Sequence, residues 1–273
     1  MKKYIGIVLA ALLTFALVAL AGCGKKTAGS DFVVGFDAEY PPYGFIDTTG
    51  EFGTPGSYVG FDLDLAALVA QEAGWTFKAV PIDWDAKDQL LESGQITCIW
   101  NGFTYEGRED SYQWSARYML NAQVIVVKAG SGIKTLADLA GKTVITQTES
   151  AGYDVITSEE FADVNATFAR GGVQVIGDYN TAFMQLESGA CDAVICDLSI
   201  FAYQDAAKPG AFANIVTLSS EHYAVGFAKD NPDAKAMIDE INKVLKALDK
   251  SGKIRELCDK YASYGADYAN WCL

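Results

Sequence analysis

The sequence predicts an α/β protein built as two similar lobes, and three observations carry that prediction. The string Leu91-Glu92-Ser93-Gly94 returns as Leu186-Glu187-Ser188-Gly189, 95 residues later, each time with a helical stretch before it and an apolar strand after it. The two strands, Ile96–Trp100 and Cys191–Ile195, run out into polar residues, Asn101-Gly102 and Cys196-Asp197. Once an N-terminal leader is set aside, about 250 residues remain, enough for two modest lobes. Hydrophobic residues make up 50% of the chain, so real cores can be buried.

The elements follow in order. Asp31 to Phe36 reads as a strand, and the two prolines of Tyr40-Pro41-Pro42-Tyr43 stiffen the loop after it. Glycines at 50, 53, 56 and 60 surround Tyr58-Val59 and predict a hairpin-like excursion. Asp62 reads as the N-cap of a helix carrying Leu63, Leu65, Leu68 and Val69 at helical spacing, stopped by Gly74. Trp75 to Val80 is the next strand. Asn231-Pro232-Asp233 opens a long helix with an apolar stripe of Met237, Ile238, Ile241, Val244, Leu245 and Leu248, ended by Gly252. A last helix covers about 253–261.

The leader itself is informative. Lys2 and Lys3 precede an almost unbroken apolar run from Tyr4 to Ala21, the pattern of an export signal. A run of this length also suits a retained membrane helix, since about 20 apolar residues span a bilayer. Leu20-Ala21-Gly22-Cys23 favours cleavage: small residues offer a peptidase site, and the adjoining thiol can carry a diacylglycerol. The motif resembles a bacterial lipobox. Residues 1–22 are therefore expected to be a lipoprotein signal peptide, Cys23 the lipidated residue, and 23–30 a flexible tether. Either alternative puts the folded part outside the cytoplasm, and a lipid would hold it to a bacterial membrane.

Removing residues 1–22, with two lysines and no acid, shifts the formal net charge from -14 to -16. So acidic a chain argues against nucleic acid or anionic lipid as partner through a basic face. Six cysteines are present, and lipidation of Cys23 leaves an odd number. Cys191 and Cys196 end one predicted strand, about 16 Å apart at ~3.3 Å per residue, too far to bridge. Cys258 and Cys272 share the C-terminal segment and are the expected disulfide pair. With no CxxC and a single histidine, His222, neither a metal nor a cofactor is expected.

If two lobes face each other, the carboxyl ends of their strands meet in a cleft, where open parallel sheets bind ligands. Asp37, Asn101-Gly102, the loop after Val144 and Asp197 stand at such ends. Taken singly, Arg108 beside Glu109 and Asp110 reads as a surface ion pair, Trp84 as core and Asp197 as a helix cap.

Many short motifs occur in one order: Val34-Gly35-Phe36-Asp37 with Tyr40-Pro41-Pro42-Tyr43, Gly60-Phe61-Asp62-Leu63-Asp64-Leu65, Asp83-Trp84-Asp85, Ser93-Gly94-Gln95-Ile96, Asn101-Gly102-Phe103-Thr104 leading to Arg108, Trp114-Ser115 with Tyr118, Asp138-Leu139-Ala140-Gly141-Lys142, and Ala193-Val194 up to Asp197. From Asp31 to the C-terminus the chain resembles family 3 solute-binding proteins, receptors of polar amino-acid ABC importers. The resemblance implies a type II periplasmic-binding-protein fold, with 31–120 and 223–273 as lobe 1, 121–222 as lobe 2, and crossings near 118–122 and 221–224.

It further implies a ligand site. Arg108 would grip the ligand carboxylate with its planar fork, helped by Thr104 and backbone N–H groups near Gly102 and Phe103. Ser150 and the Ala151 N–H would close on the carboxylate from the other lobe, and Asp197 would take the ammonium. Tyr40 and Trp84 would wall the site, Asp37 would stand near the ligand side chain, and Asn101 and Gln147, the latter at a position that varies in identity across the family, would complete the ligand-binding set. No second Arg or Lys is evident in the cleft, which favours a polar neutral or cationic amino acid over an acidic one and leaves cystine open. The implied partners are ABC permease subunits, for a receptor that is monomeric and not an enzyme. The alternatives are a dehydratase-like enzyme using Cys196 with His222, and a sensing module without transport.

Overall fold

The computed structural model describes residues 31–273; Cys23 and the expected signal and tether lie outside the described residues. The chain opens with β1 (Asp31–Phe36), β2 (Glu39–Tyr40), β3 (Gly44–Asp47) and β4 (Ser57–Val59), then α1 (Phe61–Ala73), β5 (Thr76–Pro81), α2 (Lys87–Glu92), β6 (Cys98–Ile99) and β7 (Tyr112–Trp114). It continues through β8 (Met119–Lys128), β9 (Val144–Gln147), α3 (Ala151–Thr157), α4 (Ala162–Ala166), β10 (Gln174–Ile176), α5 (Tyr179–Ser188), β11 (Ala193–Asp197) and α6 (Leu198–Ala207). It returns by β12 (Phe212–Tyr223) and β13 (Gly226–Ala228) to α7 (Ala234–Lys250) and α8 (Lys253–Lys260).

Two five-stranded sheets result, in the orders β5-β1-β6-β13-β7 and β10-β9-β11-β8-β12, with β2-β3-β4 as a small antiparallel annex. In the first sheet β1 is parallel to β5 and β6; in the second β9 is parallel to β10 and β11. The fold is the type II periplasmic-binding-protein arrangement. The repeated four-residue string marks equivalent places: α2 and α5 each lead to a glycine in the left-handed region, Gly94 and Gly189, and then to a buried strand, β6 and β11.

Chain passes between the sheets beside β8 and β12. These strands pair antiparallel along their length, with Asn121 opposite Glu221 and Met119 opposite Tyr223. The long α7 covers α1 with Ile241, Val244, Leu245 and Leu248, all buried. Each such side chain contributes about 1.5–3 kcal/mol, against ~0.3–0.5 kcal/mol for an exposed i,i+4 pair such as Lys235–Asp239, so packing holds this helix.

Two local expectations need correction. Asp62 does not cap α1: Gly60 holds the cap position, and the wholly buried Asp62 carboxylate accepts from Gly102 N (2.6 Å) and the Tyr118 hydroxyl (2.7 Å). Burial dominates there and pushes its carboxyl up to about 7 against the lowering pull of those bonds. Cys258 and Cys272 are not bridged. Cys258 faces the core from α8, whereas Cys272 is exposed and tied by its N–H to Tyr118 O at 3.0 Å, at the start of β8. The bridge between Met119 and Trp271 carries the C-terminus away from α8.

The β3–β4 loop shows how one acid organises a glycine-rich excursion. The Asp47 carboxylate accepts from the N–H groups of Thr49, Gly50 and Glu51 on one oxygen and of Phe52 and Gly53 on the other. Burial alone would raise this carboxyl, but the Phe52 and Gly50 N–H groups with the Thr49 hydroxyl outweigh it and hold it down to about 2. Phe52 is thereby set against Tyr261 and Tyr264, at ring distances of 4.8 and 4.9 Å.

Candidate functional site

The carboxyl ends of β1, β6, β9 and β11 converge between the two sheets, with the β8–β12 ribbon behind them. Ten residues line one small cavity there: Tyr40, Trp84, Asn101, Gly102, Thr104, Arg108, Gln147, Ser150, Ala151 and Asp197. Each was singled out from the sequence. The free space is about 20 Å³, room for a single water molecule, so any larger guest requires the walls to part. The other two expected residues stand just outside the lining. Phe103 is buried beneath it, with its ring 5.5 Å from Trp84 and 5.3 Å under the Arg108 guanidinium, so it supports the walls and does not face the cavity. The Asp37 carboxylate accepts from the Glu39 N–H (2.8 Å) and from Gln147 Nε2 (2.7 Å), which ties β1's end to β9's. Burial, more than its neighbours, raises the Asp37 carboxyl.

Several expected ligand groups already have protein partners. Arg108 Nη2 donates to Glu149 O (3.0 Å) and Asp154 Oδ2 (2.8 Å); Trp84 Nε1 donates to the same Glu149 carbonyl (3.3 Å). Glu149 adopts φ 53, the left-handed region that few non-glycine residues enter. The Gly102 N–H is engaged by Asp62 and the Thr104 hydroxyl by Glu221 at 2.9 Å. Ser150 caps α3, its hydroxyl accepting from Tyr153 N at 3.1 Å. Ala151 opens that helix, where first-turn N–H groups have no intrahelical acceptor. Tyr40 meets Tyr223 hydroxyl to hydroxyl at 3.0 Å, and Tyr223 donates on to Asp197 at 3.0 Å.

Sequence reasoning missed four contributors. Lys87, buried on α2, donates to Glu149 Oε2 at 2.7 Å beside Trp84, so a second cation does stand at the cleft edge, neutralised by Glu149. Glu221, Asn121 and Gln123 form a buried polar knot with Asp197. Strand alternation could have found Glu221, because it shares a face with the buried Tyr223 two residues on. The Cys196–His222 pairing imagined for an enzyme is not formed. His222 Nδ1 meets Glu106 at 2.7 Å, while Cys196 is buried with its thiol pushed well up by desolvation, the reverse of an activated nucleophile.

Two α/β sheets joined by a paired ribbon, with a guanidinium and a carboxylate lining the cavity between them, define a two-lobed solute receptor. The profile of the bacterial extracellular solute-binding proteins, family 3, matches residues 32–264, and the chain belongs to that family. Among solved structures it is similar to a Streptococcus pneumoniae ABC uptake transporter substrate-binding protein with bound histidine, at 31% identity and a TM-score of 0.78, over 87% of this chain and 94% of that one. It is also similar to an ancestral arginine-binding protein bound to arginine, at 31% identity and a TM-score of 0.73, over 85% and 97% of the two chains. The L-cystine-binding protein TcyJ of Escherichia coli is 28% identical over 86% of this chain and 83% of its own. The arginine-binding extracellular protein ArtP of Bacillus subtilis is 33% identical, but the match spans about half of either protein, 53% and 55%. Family membership makes the chain an extracytoplasmic solute-binding protein.

Proposed function

We propose that this chain binds one free polar amino acid, neutral or cationic, between a lobe formed by residues 31–120 with 223–273 and a lobe formed by 121–222, and delivers it to an ABC permease. One observation carries the reading: a guanidinium on one side and a carboxylate on the other line a single cavity between the sheets, matching the two charged ends of an amino acid. Burying those ends is very costly unless each finds its partner. Opening on the β8–β12 ribbon admits the amino acid, and contacts to both lobes then favour closure. The relatives named above for arginine, cystine and bound histidine support the class of ligand.

A melting-temperature screen of the chain purified in detergent, against the common L-amino acids and L-cystine, tests the reading. An amino acid at 100 times its dissociation constant stabilises the fold by about 2.7 kcal/mol. A flat screen would sink the ligand class.

We further propose that Cys23 carries the lipid and that 23–30 is the tether. The chain should then partition into the detergent phase of a Triton X-114 separation, and Cys23→Ala should block signal cleavage, leaving a longer chain. A Cys23→Ala chain that is still shortened at residue 22 would overturn lipidation.

A further inference from the structure

Two buried acids face each other with no cation between them. Asn121 Nδ2 donates to both Asp197 Oδ1 (2.8 Å) and Glu221 Oε1 (2.7 Å), and Gln123 Nε2 does the same at 2.7 and 2.9 Å. The Asn121 contacts keep the two acid oxygens within about 5.5 Å. Tyr223 adds a bond to Asp197 and Thr104 adds one to Glu221. These bonds all come from uncharged donors and fall on Asp197 Oδ1 and Glu221 Oε1; the Tyr40 hydroxyl also reaches the Asp197 carboxylate. Neither acid forms a salt bridge among the described residues.

The surroundings supply no charge to offset them. Tyr40 and Tyr43 face the pair from β2 and the loop after it, Tyr179 from α5, Tyr223 from β12 and Cys196 from β11; burial raises every one, so all are neutral near pH 7. Asn121 and Gln123 from β8 and Thr104 from the loop after β6 are uncharged. Arg108 lines the same cavity but is held by Asp154 and Glu149, and His222 lies with Glu106. Two such carboxylates cannot both ionise cheaply, so one keeps a proton unless a cation arrives.

We propose that Asp197 and Glu221 act as one acid pair, which holds a shared proton in the free receptor and exchanges it for the ammonium group of the incoming amino acid. Glu221 is then a positioning residue that couples affinity to pH; this rests on the reading of Asp197 as the ammonium acceptor. Burial first, then the charge of Asp197, pushes Glu221 up to about 7, and burial likewise raises Asp197. The sign follows: below about pH 7 the proton competes with the ammonium, so affinity rises as pH climbs through 7 and a proton leaves on binding.

Isothermal titration of the chain with L-arginine, L-glutamine and L-cystine, in buffers of different ionisation enthalpy, tests this. For each amino acid that binds, most of one proton should be released at pH 6 and little at pH 8, with a dissociation constant about tenfold weaker at pH 6. Glu221→Gln should still bind, release no proton and show a flat profile between these pH values; Glu221→Asp should restore the slope. Equal affinity at pH 6 and 8 with no buffer dependence in the unmodified chain overturns the acid pair whether or not the variants fold. Full proton release from Glu221→Gln overturns it as well. Absence of binding by all three at both pH values would instead strike the proposed function itself.

Discussion

Arg108→Ala is expected to weaken amino-acid binding by at least about 100-fold, a loss of ~3 kcal/mol, and to erase the ligand-induced melting shift. A planar guanidinium can hold both oxygens of a carboxylate, and a carboxylate sealed between two lobes without it is left buried and unpaired. The same substitution should cost the ligand-free fold less than it costs binding. Of Arg108's two present partners, the Glu149 carbonyl is uncharged and Asp154 is 56% exposed, and ion pairs of that kind contribute roughly 0–1 kcal/mol. Binding and stability therefore separate in one variant, which a merely structural role for Arg108 would not allow. Arg108→Lys should recover little, because an ammonium cannot reproduce the fork. A melting shift retained by Arg108→Ala would mean that the carboxylate is held elsewhere.

Gly60→Ala should produce a large loss of stability. A Cβ at position 60 would stand 2.1 Å from the Tyr43 carbonyl oxygen and 2.5 Å from its carbon, and the backbone sits at φ +150. Both obstacles are main chain, so no side-chain rotation relieves them. The surrounding bonds resist a shift: Gly60 N donates to the Tyr261 hydroxyl, Phe61 N to Pro42 O and Asp62 N to Tyr43 O. A cost of at least ~3 kcal/mol is expected, near 10 °C of melting temperature at about 2–4 °C per kcal/mol for a chain of this size. Gly56→Ala is the control. It also has positive φ, but nothing lies within 4 Å of its added Cβ, so only the backbone preference of about 1–2 kcal/mol is lost. Thermal unfolding followed by circular dichroism decides the matter. Equal melting temperatures for the two variants would show that the close approach to Tyr43 is readily relieved.

Asp62 occupies a place at the start of α1 where an acid ordinarily caps or favours the helix N-terminus, and nothing local distinguishes that from a buried hub. Its neighbours Phe61 and Leu63 are both buried, and an acid between two such residues was the available signal. The Cys258–Cys272 pairing failed for a related reason. Closeness along the chain suggested a bridge, but the final residues leave α8 to lie beside Tyr118. Lys87 was passed over because a lysine on a short helix reads as solvent-facing until Trp84 and Glu149 close over it.

By itself the sequence determined the two-lobed α/β plan and the strand ends where chemistry gathers. Helical spacing, glycine stops and polar strand termini are local properties, and they recur in both halves of the chain. Strand ends put Asn101, Gly102 and Asp197 at the cavity, because loops that follow parallel strands must emerge at the same edge of a sheet, whereas Tyr40, Trp84, Thr104, Arg108, Ser150 and Ala151 were legible only through the resemblance to the family. Only the tertiary structure decided which of those groups are already engaged, that Asp62 and Glu221 are buried, and that Asp197 has a second acid beside it. Those facts depend on strands far apart in sequence coming into register, β8 against β12 and β11, and on the water that their packing removes. Desolvation, which no local pattern encodes, is what turns an ordinary glutamate into a proton-holding one.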